Sequence, residues 1–368
     1  MIAVADVNTA WRSKPFEALS VITPVLALAP QDPFAVWRAR GKVRLQSLPG
    51  FNRQVITMPP GWASRWKEWM ATYIWHRMSK QALLLGSRIQ GLVVTSPHYL
   101  ELVKKASPHI ATFYYCSDDY TQYAGWGGGK VSKDEAQLVR TVRHSFFVSQ
   151  VLADRAVQSY GVSADRVSVS PNATDLTALD PVDQSQIEDI FRAFPTLRRP
   201  LVGVIGGIND RLDFEAIVSC ANLAETGSLV LVGGVDKGFS HDILDRLRSH
   251  PKCVFAGEQP HSQIPVWMQA LDVALIPYRD TPLNRACSPM RLYDHLAAGK
   301  TLVSSAYCEQ VHTFGDLVQI RTGGEELVNQ VAVACGQAGM RGRDDSMLKA
   351  AKLNTWDVRV RKLADTFL

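Results

Sequence analysis

The feature that most constrains this chain is its rhythm, in which short apolar runs alternate with segments of helical spacing almost from end to end. Residues 2–7, 21–28, 55–58, 92–95, 110–115, 145–148 and 167–169 read as strands in the first half, with helices over 62–85, 98–106, 132–142 and 150–160. The second half repeats the pattern, with strands at 201–205, 229–232, 253–255, 273–276, 301–304 and 318–320 and helices near 213–223, 242–248, 262–270, 290–298 and 325–336. Strands that are apolar throughout must be covered on both faces, and strand–helix alternation supplies that cover in a parallel sheet. The expected class is therefore α/β, with doubly wound, Rossmann-like sheets. At about 150 residues per domain, 368 residues make two of them. The break falls in the polar stretch after Ser170-Pro171-Asn172-Ala173-Thr174-Asp175, giving domains of 1–176 and 177–354 and a connector with one short helix before Pro200. Trp356, Val360, Leu363 and Phe367 recur at helical intervals, so 355–368 is expected to form a last helix, capped by Thr355, that packs back on the first domain.

Charge divides the chain unevenly. Residues 1–180 hold 20 Lys and Arg against 13 Asp and Glu, a surplus of seven, whereas residues 181–368 hold 20 against 22. Six of the nine tryptophans, Trp11, Trp37, Trp62, Trp66, Trp69 and Trp75, fall in the first 75 residues, so the two domains are expected to meet different partners. The six cysteines are scattered without metal-type spacing, which argues against a zinc site and for a reduced, cytoplasmic chain. The longest apolar stretches, such as 19–29 with its Pro24, fall well short of the roughly 20 residues that span a bilayer. Asp6 ends the first apolar run too early for a signal peptide.

Ligands of doubly wound sheets bind beyond the carboxyl ends of the strands, so the strand ends are where chemistry is expected. The strand at 201–205 leads into Gly206-Gly207-Ile208-Asn209-Asp210-Arg211. Adjacent glycines at a strand-to-helix turn let backbone N–H groups approach an anion, and Arg211 can add a fixed charge. Taken alone, Gly206 and Gly207 fit a tight packing turn equally well. A stronger signal is the run from Cys287 through Ser288, Pro289, Met290, Arg291 and Asp294 to Gly299 and Ser304. Ser288 is expected to cap a helix with Pro289 in its first turn, and Gly299 to end it. Arg291 and Asp294 lie three apart on that helix, where they can form a surface ion pair or face a ligand together. An Arg suits a diphosphate, and a carboxylate can accept from both hydroxyls of a ribose.

The run 288–304 resembles the nucleotide-sugar signature of group-1, family 4-like GT-B glycosyltransferases, a Ser-Pro-x-Lys-x-x-Glu-x-x-Ala-x-Gly-x-Pro-Val-Val pattern. Three further segments agree in order: the Ser170 to Asp175 turn, Leu231-Val232-Gly233-Gly234, and 253–257 with the helix and strand over 264–277. The resemblance implies a GT-B fold in which Arg211 and Arg291 flank a donor diphosphate, Asp294 holds the ribose, and backbone near Gly257 and Glu258 reads the base. This sequence departs from the pattern at three points. Asp294 replaces a glutamate, Arg291 replaces a lysine, and the acidic residue expected near Ala286, which touches the transferred sugar in the family, is missing.

In the first half, Tyr114-Tyr115-Cys116-Ser117-Asp118-Asp119-Tyr120 follows a strand and resembles a segment of teichuronic-acid-type transferases and, more loosely, of the xanthan glucuronosyltransferase class. Asp118 or Asp119 can deprotonate an acceptor hydroxyl, which favours inversion, or can cap the next turn. His98 follows another strand and either meets the acceptor or belongs to a capped helix start. The Gly125-Trp126-Gly127-Gly128-Gly129-Lys130 stretch reads as a loop near the acceptor side. Trp62, Trp66, Trp69 and Tyr73, beside Arg65, Lys67 and Arg77, fall on one helical face that suits either an anionic membrane surface or the first sheet. The basic residues are dispersed and no nucleic-acid-binding motif accompanies them.

The expected activity is transfer of a sugar from a nucleoside diphosphate donor, UDP before GDP, to a lipid-linked or polysaccharide acceptor at the inner membrane face. No metal or further cofactor is expected. A sugar-nucleotide epimerase of the same fold and a non-catalytic nucleotide-sugar-binding subunit are the alternatives.

Overall fold

The computed structural model describes residues 1–31, 48–59, 61–62, 66–123, 125, 128–236, 242–339 and 342–368. Trp37, Arg65, Trp126 and Gly127, singled out above, lie outside the described residues. The chain divides into two units, Met1–Asn172 with Trp356–Leu368, and Ala173–Thr355. The division falls before Ala173 rather than at 176/177 because Thr174 N–H donates to Asn354 O at 3.1 Å and Thr174 pairs with Thr355.

The first unit contains β1 (Ile2–Ala5), β2 (Val25–Gln31), β3 (Phe51–Thr57), β4 (Gly91–Val94), β5 (Ala111–Cys116), β6 (His144–Phe147) and β7 (Val167–Val169). Their spatial order is β3-β2-β1-β4-β5-β6-β7, with parallel pairing throughout. Ala5 lies opposite Leu28 on one side and Val94 on the other, so β1 and β4 end level with each other where the strand order reverses. The second unit contains β8 (Leu201–Ile205), β9 (Ser228–Val232), β10 (Cys253–Gly257), β11 (Val273–Ile276), β12 (Thr301–Ser305) and β13 (Gln319–Arg321). Their order is β10-β9-β8-β11-β12-β13, again parallel, with the reversal between β8 and β11. Every residue of β1, β4, β8, β9 and β11 is buried, which is the environment that uniformly apolar strands require.

The helix Trp356–Phe367 buries Trp356, Val360, Leu363 and Phe367 within the first unit. The Phe367 ring sits 4.8 Å from that of Phe113 on β5 and 5.3 Å from that of Phe146 on β6. A helix that the sequence pattern does not announce, Ala10–Leu19, follows β1. Its buried positions include Arg12 and Ser13 beside Phe16 and Leu19, and Pro15 lies inside it, so no apolar stripe marks it. The helix Lys67–Leu84 turns Met70, Ala71, Ile74, Met78 and Ala82 inward. Of the aromatic face expected here, Trp62 departs, half-buried against Tyr99, while Trp66 and Trp69 are exposed and the Trp69 ring stacks on that of Tyr73 at 5.8 Å. The inward aliphatic positions already supply the contact with the unit, which leaves the tryptophans to other surroundings.

Candidate functional site

In the second unit, the segments leaving β8 and β11 carry the candidate donor residues. The chain turns after β8 at Gly206, whose φ of 118° suits glycine, and its N–H donates to Val232 O at 2.8 Å. A Cβ on Gly206 would stand 2.7 Å from Arg291 Nη2, and one on Gly233 would stand 2.0 Å from Gly206 O. The two turns and the guanidinium therefore meet because no side chain intervenes.

Arg291 extends from the helix Met290–Ala298 and donates from Nη2 to Gly207 O at 3.2 Å. Its guanidinium lies 5.5 Å from the centroid of the Tyr278 ring, just beyond β11, and the guanidinium of Arg211 lies 5.6 Å from the same centroid. Each contact is favourable singly, but two cations at one ring repel each other. Arg291 Nη1 is buried without a hydrogen-bond partner among the described residues. An anion taken between these guanidinium groups would relieve both conditions.

Arg211 is held by a residue that sequence reasoning missed. Arg211 Nε donates to Asn284 Oδ1 at 2.9 Å, and Asn284 Nδ2 donates to the carbonyls of Arg211 and Arg279, both at 2.9 Å. Asn284 is fully buried and joins the segment after β8 to the segment after β11. The short helix Pro282–Arg285 that carries it is capped by Thr281, whose Oγ1 accepts from Asn284 N–H at 3.2 Å. The Thr281-Pro282 pair is the sequence signal for this short helix.

The other candidates take varied positions. The helix start falls at Met290 with Pro289 at the cap position, not on Ser288, because Ser288 is buried with its Oγ 3.5 Å from Tyr293 Oη. Pro289 at the cap position offers no side-chain oxygen to the first-turn amides of this helix. Gly299 ends the helix at φ 66°. Asp294 points to a different partner from Arg291, accepting from Thr174 Oγ1 at 2.6 Å. Gly257 closes β10, its carbonyl accepting from Gly233 N–H at 2.9 Å, and the exposed Glu258 follows it. His295, one turn beyond Arg291, is fully buried, and neither ring nitrogen has a partner among the described residues. Burial, with the charge of Arg291, pushes its pKa down to about 3, so the ring is neutral.

In the first unit the reversal lies between β1 and β4. Asp6, the residue after β1, has a φ of 76°, a left-handed conformation that costs a non-glycine residue about 1 kcal/mol or more. The backbone is pinned there: Asp6 N–H donates to Leu28 O at 3.0 Å, and Thr95 Oγ1 donates to Asp6 O at 2.7 Å. Arg12 Nη1 donates to Asp6 Oδ2 at 2.6 Å, and the Arg12 guanidinium lies 5.0 Å from the Tyr120 ring centroid. His98 Nδ1 is 3.4 Å from Ser96 Oγ, and its ring lies 6.4 Å from that of Trp62. Burial and the nearby Lys67 push the His98 pKa down to about 4.

Asp118 and Asp119 are both buried, and they differ in role. Asp119 receives Arg155 through both oxygens, at 2.8 and 2.9 Å, while Thr121 N–H and Oγ1 donate to its Oδ1. That is a turn-capping carboxylate held in a two-point ion pair, the capping role that the sequence offered for it beside that of a base. Asp118 accepts from Asp119 N–H at 3.0 Å and from Tyr123 Oη at 2.7 Å. Below them, fully buried Glu135 accepts from Tyr114 Oη and Tyr160 Oη, and burial raises its pKa. No grouping of His, Cys, Asp and Glu suited to a metal ion occurs among the described residues.

No family model matches the chain. Among curated proteins, the "Putative teichuronic acid biosynthesis glycosyltransferase TuaH" of Bacillus subtilis is 26% identical over 167 residues, 44% of this chain. That match spans 42% of the relative's length. Among solved structures, Anabaena HepE in complex with UDP superposes with a TM-score of 0.72 at 14% identity, covering 99% of this chain and 98% of that one. Sucrose-phosphate synthase from Thermosynechococcus elongatus gives 0.72 at 14%, over 100% and 98%. A glycosyltransferase from Rickettsia africae gives 0.70 at 11%, over 100% and 97%. With two parallel, doubly wound sheets and a likeness that runs the length of these structures, the chain has the GT-B fold of glycosyltransferases.

Proposed function

We propose that the protein is a glycosyltransferase that moves a hexosyl group from a nucleoside diphosphate donor, UDP in preference to GDP, to a hydroxyl of a lipid-linked or polysaccharide acceptor in bacterial envelope synthesis. One observation carries the reading: Arg211 and Arg291 converge on the Tyr278 ring beside the Gly206 turn and the first turn of the Met290–Ala298 helix. Two guanidinium groups and a set of backbone amides at the strand-order reversal are the chemistry of a diphosphate site. They also offer the leaving diphosphate the charge that a divalent cation otherwise supplies, so the transfer is metal-independent. Asp294 is the ribose partner, and backbone at Gly257 and Glu258 is suited to the base. HepE, of the same fold, was solved with UDP and with UDP-glucose, which supports UDP.

The acceptor belongs to the first unit, with its surplus of positive charge. Trp66 and Trp69 are exposed, as are Leu83 and Leu84 on the same helix, and they support peripheral contact with an anionic membrane. No described helix is long and apolar enough to cross one.

Calorimetry with UDP and GDP, followed by transfer assays with labelled donors and added EDTA, tests the reading. UDP binding with transfer to a glycan acceptor is expected. Donor interconversion without an acceptor would indicate an epimerase, UDP binding without turnover a binding subunit, and binding of neither nucleotide would overturn the donor site.

A further inference from the structure

We propose that the second unit holds an anion site apart from the donor residues, a cavity that takes a phosphate group through Lys300, Thr301 and Gln337. The cavity measures about 220 Å³, and its wall also includes Arg199 and Asp272. Arg199 lies two residues before β8, Asp272 directly precedes β11, and Lys300 directly precedes β12. The cavity therefore lies at the amino ends of the strands. Gly206, Arg211 and Tyr278 follow the carboxyl ends of β8 and β11 in the same unit. The length of the strands, about 15 Å, separates the two places.

Charge and unused donors point to an anion. Asp272 is the one carboxylate among the described residues of the wall, and both of its oxygens are taken. Oδ1 accepts from Arg199 Nη1 at 2.5 Å, and Oδ2 accepts from Leu201 N–H at 2.7 Å. Lys300 is half-buried, and its Nζ makes no hydrogen bond or ion pair with a described residue. Burial lowers the pKa of this ammonium; Asp272 opposes the shift, and the charges of Arg199 and Arg343 add to it. Arg343 is itself held by the carbonyls of Leu179, Ala297 and Ala298. An ammonium so placed gains from an anion that enters from solution. Thr301 Oγ1 and the side-chain amide of Gln337 also bond no described residue, which leaves two neutral donors in the same wall.

Donors on three separate side chains suit an acceptor whose oxygens diverge. A phosphate group offers such oxygens with up to two charges, whereas a carboxylate offers two oxygens in one plane. At about 30 Å³ per water the cavity has the room of roughly seven waters, enough for a phosphate group with a short organic tail. The ligand is inorganic phosphate or the phosphate end of a small monoester.

Phosphate can also meet the donor arginines, so the test alters both places. In the full-length protein at constant ionic strength, inorganic phosphate is expected to raise the melting temperature saturably, in the wild type and in Arg211→Ala/Arg291→Ala alike. Lys300→Met is expected to bind phosphate at least about tenfold more weakly. Glycerol 3-phosphate tells the two sources apart: tighter binding than that of phosphate identifies a monoester, and equal or weaker binding identifies the free ion. A wild-type melting temperature that phosphate does not move, or that acetate or chloride moves equally, overturns the proposal. So does a phosphate response that Lys300→Met leaves unchanged. If Lys300→Met fails to fold, Thr301→Val/Gln337→Leu decides by the same measurement, with weaker phosphate binding in support and unchanged binding against.

Discussion

Arg211 and Arg291, 80 positions apart in the chain, bring their guanidinium groups to within 5.6 and 5.5 Å of the centroid of one ring, that of Tyr278. Like charges converge in this way only where the surroundings hold them. Asn284 holds Arg211, and the Gly206 turn leaves room for Arg291. Removing either charge should therefore weaken diphosphate binding: Arg291→Ala and Arg211→Ala are each expected to lower UDP affinity at least about tenfold, roughly 1.4 kcal/mol or more. Isothermal calorimetry at fixed ionic strength measures this, and unchanged affinity would remove that residue from the site.

Asn284 bonds the Arg211 guanidinium and the carbonyls of Arg211 and Arg279, so its effect on UDP binding is expected to run through Arg211. Asn284→Ala should also lower UDP affinity, and the double variant Asn284→Ala/Arg211→Ala should lose little more than Arg211→Ala alone. A double-mutant cycle reads this coupling directly. Additive losses would mean that Asn284 merely supports the fold.

The two neighbouring aspartates should separate by assay. Asp119→Asn takes from the partly buried Arg155 its two-point charged partner, leaving Glu135 at 3.7 Å, and is expected to cost about 2 kcal/mol of stability, visible as a lower urea midpoint. Asp118→Asn keeps the size of the side chain but leaves one accepting oxygen for two donors, those of Asp119 N–H and Tyr123 Oη, and is expected to retain transfer within about tenfold. A larger loss of kcat in Asp118→Asn, with UDP binding intact, would assign the base to that residue.

Acid should destabilise the protein through its buried histidines. The folded pKa values of His295, about 3, and His98, about 4, lie below the unfolded value of about 6.5. Between those limits the unfolded chain binds protons that the folded chain does not. The stability from these groups is therefore complete above about pH 6.5 and declines as the pH falls toward 4 and 3. Thermal melts from pH 7.5 to 5 should show the decline. His295→Phe should flatten it, by about 1–2 kcal/mol over the range, and an unchanged slope would mean that His295 finds a proton acceptor in solution.

The exposed tryptophans can be removed at little cost to folding. Trp66→Ala/Trp69→Ala is expected to leave the melting temperature within a few degrees of wild type and to reduce co-sedimentation with vesicles containing anionic lipid. Equal binding by the double variant would assign those side chains to another partner.

The sequence by itself determined the architecture. Uniformly apolar strands need helices on both faces, so the order of the thirteen described strands was legible, although β2 and β3, expected at 21–28 and 55–58, lie at 25–31 and 51–57. The glycine turn after β8, the Gly299 stop and the apolar stripe of the last helix were legible for the same reason, since each rests on local backbone freedom or on a period. What the tertiary structure decided is which polar groups meet. Asn284 and Arg211 lie 73 positions apart, and no spacing rule relates them. The Ala10–Leu19 helix buries Arg12 where a stripe would carry an apolar residue, so its pattern is broken by the contact it makes with Asp6. Asp118 and Asp119 are adjacent carboxylates in the sequence, and only the approach of Arg155 from the helix Gln150–Gln158 makes one of them structural. Apolar burial is set by the period of the chain itself. Partnership between polar groups is set by the fold, because hydrogen bonds are short and directional and the sequence does not record which distant atoms will stand within 3 Å.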